Sequence, residues 1–195
     1  MKPKRQIQII NIYLHPVGDL PLLHFSILRS KLIVINKKYS MSSPRTGRLL
    51  HEIKSLEHKP PWGITCKPVK EDVLDELRVQ MLGPRGSPYE KGKFELVIHI
   101  PDRYPFEPPQ VKFLTSVYHP NIDQGGRICM NTLKMPPKGS WLPTITIETL
   151  LISVQSLLAN PNPDDPLMLD IAYQYRYDME QFLEKARKHT EEHAG

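Results

Sequence analysis

The side chain best suited to covalent chemistry in this 195-residue chain is the thiol of Cys129. A thiolate is a good nucleophile and a good leaving group, so a cysteine can accept an acyl group and release it to an amine. Cys129 lies among glycine and polar residues, between Gly126 and Asn131, which favours an accessible loop. The competing reading is a buried structural thiol, the commoner fate of cysteines. Cys66, the only other cysteine, has no such setting and is expected in the core. Two cysteines provide neither a disulfide framework nor zinc-ligand spacing, so no metal centre is expected. Their scarcity suits a reducing compartment, where a free thiol survives. No Ser, His and Asp arrangement accompanies Cys129 in the manner of a hydrolase. A strong base beside it would activate water and discharge an acyl thioester to no purpose.

A reactive loop needs elements to hold it. Apolar residues make up 39% of the chain, enough for one sizeable core, hence one domain plus an appendage. Ser43 and Pro44 read as the cap and first position of a helix. Leu49, Leu50, Ile53 and Leu56 follow at helical spacing, and Pro60-Pro61 ends it. Four strand signals come next: Ile64 to Lys67, the alternation of Leu77, Val79 and Met81, that of Phe94, Leu96, Ile98 and Ile100, and Val111 to Leu114. Gly83, Gly86 and Gly92, then Pro101, Pro105, Pro108 and Pro109, mark the connections, which suggests an antiparallel meander. From Leu114 to Pro143 no periodic element is evident, and an irregular stretch of that length inside a compact domain tends to be functional. It contains Cys129. Ile147, Leu150, Leu151, Val154, Leu157 and Leu158 then outline an amphipathic helix that Thr146 can cap. Asp165-Pro166 reads as the start of a short helix to about Arg176, and Asp178 with Gln181 as a capping box for a last helix to about His193. The order is one helix, four strands, a long loop and three helices, an α+β class.

The net charge of +5 resembles a nucleic-acid signal until it is divided along the chain. Residues 1–40 hold Lys2, Lys4, Arg5, Arg29, Lys31, Lys37 and Lys38 against Asp19, a net of +6, which leaves −1 for the rest. The basicity belongs to the appendage, so no direct nucleic-acid surface is expected on the core. No run of about 18 uncharged apolar residues occurs, so a membrane span is not expected.

His119-Pro120-Asn121, with Cys129 eight positions after Asn121, resembles the signature of the ubiquitin-conjugating enzyme family. Tyr104-Pro105-Phe106-Glu107-Pro108-Pro109, Gly126-Arg127-Ile128-Cys129, Trp141 and Asn162-Pro163-Asp164-Asp165-Pro166-Leu167 are similar to its other landmarks and stand in the same order. The resemblance covers roughly residues 41–195 and implies the ubiquitin-conjugating fold, with a thioester of ubiquitin carried on Cys129. The loop Leu133 to Trp141, longer than in minimal members, and the run Pro60 to Cys66 are similar to the T-type branch, which serves the Fanconi anaemia DNA-repair pathway.

That resemblance assigns further roles. Asn121 holds the place of an amide donor to the oxyanion formed when an amine attacks the thioester, where loss of a donor typically costs ~10²–10³ in rate. Its other reading is loop structure, and both can hold. His119 and Pro120 are implied to pack the loop. Asp165 matches a carboxylate that steers the incoming ammonium, against a reading as a simple helix cap. Asn131 stands where many relatives have aspartate, which leaves steering from that position in doubt. Lys134, five residues after Cys129, is either a self-modification site, through the high local concentration that tethering supplies, or a solvated lysine.

Arg45 and Arg48, with Lys54 nearby, are implied to dock the ubiquitin-activating enzyme, or else line a solvated face. Arg103, Phe106, Trp141, Pro143 and Thr144 resemble a surface for a RING-type ligase, with Phe106 and Trp141 alternatively in the core. Partners implied are ubiquitin, its activating enzyme, a RING-type ligase of Fanconi anaemia type and a substrate lysine. No bound cofactor is implied, because ATP is consumed by the activating enzyme. Nuclear residence follows from the T-type resemblance. A non-catalytic ubiquitin-binding scaffold and a conjugating enzyme for a ubiquitin-like protein are the alternatives. Residues 1–40 match nothing in the family and Met41 sits where its members begin, so an upstream extension that packs weakly is expected, with a transit peptide as the other reading.

Overall fold

The computed structural model describes residues 43–70 and 73–195, so the expectation for residues 1–40 lies outside the described part. Helix α1 spans Pro44–His58. The Ser43 hydroxyl accepts the Thr46 N–H at 3.2 Å, meeting one of the donors a helix start leaves unpaired. Leu49, Ile53 and Leu56 turn inward at helical spacing, with Glu52 buried among them.

Strands β1 Ile64–Lys70, β2 Val73–Leu82, β3 Lys93–His99 and β4 Gln110–Phe113 form one antiparallel sheet in sequence order. Register places the alternating apolar residues opposite one another, and so onto one face. One cross-strand row reads Cys66, Val79, Leu96, Phe113, and another Pro68, Leu77, Ile98, Val111. β1 continues past Lys67, where the sequence signal faded. Pro68 is tolerated because β1 is an edge strand, and the ladder shifts register just after it.

Helix α2, Ile147–Ala159, is capped by Thr146 and buries Ile147, Leu150, Leu151, Val154 and Leu158. Helix α3 covers Leu169–Tyr177 and α4 Met179–His193. α3 begins later than expected, which corrects the reading of Asp165 as its cap. The N–H groups of Leu167 and Met168 both donate to the Pro120 carbonyl, at 2.9 and 3.0 Å, and hold this segment out of helix. At α4 half of the expected capping box forms. Asp178 accepts the Gln181 N–H at 3.2 Å, while the Gln181 side-chain Oε1 accepts from the Gln174 amide and Lys185 Nζ. The architecture is the α+β order expected. Among the described residues, no helix is long and apolar enough to cross a membrane.

Glu52 ties three elements together. Its carboxylate accepts the Tyr104 hydroxyl at 2.8 Å, the Ile147 N–H at 2.6 Å and the Arg48 guanidinium. A buried charge met by three donors is stable only as a set, because removing it leaves every donor without a partner in low dielectric. Glu52→Ala should therefore lower unfolding free energy by about 3 kcal/mol in denaturant titration. Glu57→Ala, on the exposed side of the same helix, should stay within about 0.5 kcal/mol of the parent. Equal effects at the two positions would contradict this account.

Candidate active site

The segment between β4 and α2 is anchored by two buried polar side chains, His119 and Asn121, both fully shielded from solvent. His119 Nε2 lies 2.9 Å from the Leu157 carbonyl and Nδ1 lies 3.0 Å from the Asn121 N–H. A carbonyl only accepts, so Nε2 carries the hydrogen and Nδ1 is the acceptor. Burial lowers the His119 pKa to about 4, so the ring is neutral near pH 7 and works as a strut. The Cys129 N–H donates to the Asn121 carbonyl at 2.9 Å, and Ile122 bridges to Ile128, so a short antiparallel turn carries the cysteine. Its bend requires Gly126, which has φ of 80° and whose absent Cβ would fall 1.9 Å from the Phe113 carbonyl oxygen.

The Asn121 amide nitrogen donates to the carbonyls of Asn162 and Asp165 at 2.7 and 3.0 Å, and its oxygen accepts the Asn162 N–H at 2.8 Å. Pro120 adds the two backbone bonds from Leu167 and Met168. Residues 119–121 thus pin the 162–168 segment in place. Of the two readings of Asn121, its contacts carry the loop role, since both amide hydrogens are committed.

That pinning sets the geometry around sulfur. Cys129 is half-buried, and its S–H lies 3.1 Å from Oδ2 of Asp165. Lys134 Nζ donates to the same sulfur at 3.2 Å and stands 3.4 Å from Oδ2 of Asp165. Burial and the bond to Asp165 raise the thiol pKa above its ordinary value, while Lys134 pulls it down. The bond from Cys129 and the Lys134 charge hold the Asp165 carboxyl below the usual range, so it is ionised at neutral pH. Hydrogen bonding to the sulfur raises the Lys134 pKa, so Lys134 is a cation. Lys134 is placed by its backbone, whose N–H donates to the Asn131 carbonyl and whose carbonyl accepts from Trp141, both at 3.1 Å. Asn131 starts a short 3-10 turn and contributes backbone, its carbonyl accepting from both Lys134 and Ser140. Sequence reasoning placed Lys134 near Cys129 but missed its ion pair with Asp165, for which the sequence holds no signal. Among the described residues, no group of three His, Cys, Asp or Glu side chains is placed to hold a metal ion.

The remaining residues lie apart from the sulfur. Arg45 donates to Asp75 at 2.6 Å and to the carbonyls of Pro101 and Ile100, and Arg48 to Glu52 and the Ile145 carbonyl. Both guanidinium groups therefore have partners inside the fold. Phe106 is 64% exposed, and Arg103, Pro143 and Thr144 are exposed beside it in sequence or on the neighbouring loop. Trp141 is 2% exposed, which corrects its placement on a docking surface. Its indole N–H donates to the Pro105 carbonyl at 2.9 Å and joins the two loops from beneath. Leu142, 56% exposed, adds to this surface and was missed because a lone leucine in a proline-rich loop has no period to reveal it.

Residues 48–190 match the family model described as ubiquitin-conjugating enzyme. With the fold and the loop thiol as described, the chain belongs to the ubiquitin-conjugating enzymes. Within them it is similar to ubiquitin-conjugating enzyme E2 T of Bos taurus and of Homo sapiens, each 55% identical over 150 residues that cover 77% of this chain and 76% of the relative. Ubiquitin-conjugating enzyme E2 13 of Schizosaccharomyces pombe is 45% identical over 147 residues, 75% of this chain and 96% of the relative. Membership implies thioester transfer of ubiquitin between an activating enzyme and ligases.

The two charges around the sulfur oppose each other, and thiol alkylation against pH reads that balance. Removing the cation in Lys134→Gln should move the Cys129 midpoint upward, and removing the anion in Asp165→Asn should move it downward. Cys66 does not interfere, since burial pushes its thiol up to about 12. Shifts in the same direction would rule out the arrangement.

Proposed function

We propose that Cys129 is the thiol that accepts ubiquitin, and that the protein passes it to a substrate lysine with a RING-type ligase. The observation that carries this reading is a half-exposed loop thiol with a carboxylate and a lysine within 3.4 Å and, among the described residues, no histidine bonded to it. The Cys129 thiolate attacks the activated C-terminal carbonyl of ubiquitin, forms a thioester and expels the activating group. ATP is used upstream, so no bound cofactor is needed. An amine then attacks the same carbonyl, the C–S bond breaks and the thiolate leaves. Asp165 is suited to hold the incoming ammonium before it loses its proton. Its side chain is 59% exposed, so it attracts and orients more than it desolvates. Asn121 acts here as a positioning residue, because its amide holds the backbone from which Asp165 projects.

Arg45 and Arg48 on α1 mark the side offered to the activating enzyme. Phe106, Pro143 and Thr144, with Arg103, form the surface offered to the ligase, underpinned by Trp141. The likeness to E2 T relatives supports monoubiquitination in the Fanconi anaemia branch of DNA crosslink repair, and residence in the nucleus. The non-catalytic scaffold loses ground because the loop thiol is present.

Incubation with activating enzyme, ATP and ubiquitin should yield an adduct that reductant cleaves. Cys129→Ala should abolish it and Cys66→Ala should retain it. An adduct that forms on Cys129→Ala as readily as on the parent, or loading only by a ubiquitin-like protein, would overturn the assignment. On longer incubation a reductant-resistant product should appear on Lys134, whose amine already lies 3.2 Å from the sulfur. Lys134→Arg should slow that self-modification about ten-fold or more. An unchanged rate would assign Lys134 to charge balance alone.

A further inference from the structure

Among the described residues, helix α3 leaves one side uncovered. Leu169, Tyr173 and Tyr177 recur every four residues and are 74%, 66% and 71% exposed, while Ile171 and Ala172 face the core. The stripe runs about 12 Å along the helix. The two tyrosine rings lie 4.8 Å apart, and Leu167 and Met179 prolong the patch at either end, 38% and 43% exposed. A large apolar and aromatic stripe left to water on a short helix is the composition of a binding face, not of a solvated surface.

Two features say what covers it. The first is continuity with the reactive centre. Asp165, four residues before Leu169, lies 3.1 Å from the Cys129 sulfur, and the intervening chain is fixed by the bonds from Leu167 and Met168 to Pro120. Four residues span at most about 14 Å, so a protein seated on the stripe has its lysines within reach of the thioester. The second is charge. Flanking the stripe in sequence stand the exposed carboxylates Asp170, Asp178 and Glu180, with Asp164 paired to Arg176 and Asp165 to Lys134, while the cations Lys185, Arg187 and Lys188 come later, on α4. Such a rim favours a basic partner, and exposed tyrosine faces attract guanidinium and ammonium groups as well.

We propose that the Leu169–Tyr173–Tyr177 face of α3 is a docking surface for the acceptor protein, seating a basic amphipathic segment of the substrate next to the lysine it presents to Cys129. This rests on the transfer reading above. Docking supplies proximity and leaves the chemistry at sulfur unchanged, so the face sets which lysines are used more than how fast a free amine reacts.

Enzyme loaded with ubiquitin on Cys129 is chased with free lysine or with two short acetylated helical peptides. Each peptide has one lysine and a leucine face. One carries arginines on its other side, and its twin carries glutamates there. Discharge to the arginine peptide should be about ten-fold faster than to its twin, and Tyr173→Ala/Tyr177→Ala should abolish that preference. Loading and discharge to free lysine should remain at the parent level, as should the circular dichroism melt. Failure to discharge to free lysine even in the parent would sink the transfer reading itself. Normal discharge to free lysine with equal use of both peptides, or a preference that survives in the double variant, overturns the docking proposal alone. So does a parent that sediments as a dimer and a variant that sediments as a monomer, which would make the face a contact between copies. Loss confined to ubiquitin-chain formation would assign it to an acceptor ubiquitin and equally overturn the proposal.

Discussion

Everything at the reactive centre depends on the clasp between residues 119–121 and 162–168. Neither segment has regular structure, so neither can hold a side chain in place alone. The Asn121 amide, the His119 ring and the Pro120 carbonyl supply the bonds that a sheet or helix would otherwise provide. They are shielded from water, where an unmade hydrogen bond is costly, so the clasp is either fully formed or strongly unfavourable. That all-or-none character fixes Asp165 against Cys129 although both sit on loops.

The clasp also accounts for a modest environment at sulfur. Burial and the bond to Asp165 raise the thiol pKa while Lys134 opposes them, and the net direction is upward. A fully activated thiolate would be open to alkylation and oxidation, whereas a thiol held protonated is less exposed to both. The buried His119 cannot serve as a base, because burial holds it neutral and its two backbone bonds keep it turned inward. His119 is accordingly unavailable to activate water beside the sulfur.

Around this centre the rigid parts act as a frame. Glu52 binds α1, the Tyr104 segment and the first turn of α2 into one unit. Trp141 joins the Pro105 loop to the loop before α2. The exposed apolar groups are then carried on fixed supports: Phe106 and Leu142 on two loops, Leu169, Tyr173 and Tyr177 on α3.

The sequence by itself determined the elements and their order, because apolar periodicity, proline and glycine breaks and the caps at Ser43 and Thr146 are local properties. Leu77, Val79 and Met81 face Ile98, Leu96 and Phe94 as their alternation required. It also singled out Cys129 and the 119–121 motif. What it misplaced depended on distant partners. Asp165 has a helix cap as its second reading until the Pro120 carbonyl draws Leu167 and Met168 out of helix. Trp141 stands between a docking surface and the core until the Pro105 carbonyl, 36 residues away, takes its N–H underneath. The meeting of Cys129, Lys134 and Asp165 was likewise decided only in three dimensions, since hydrogen bonds and ion pairs between loops leave no period along the chain.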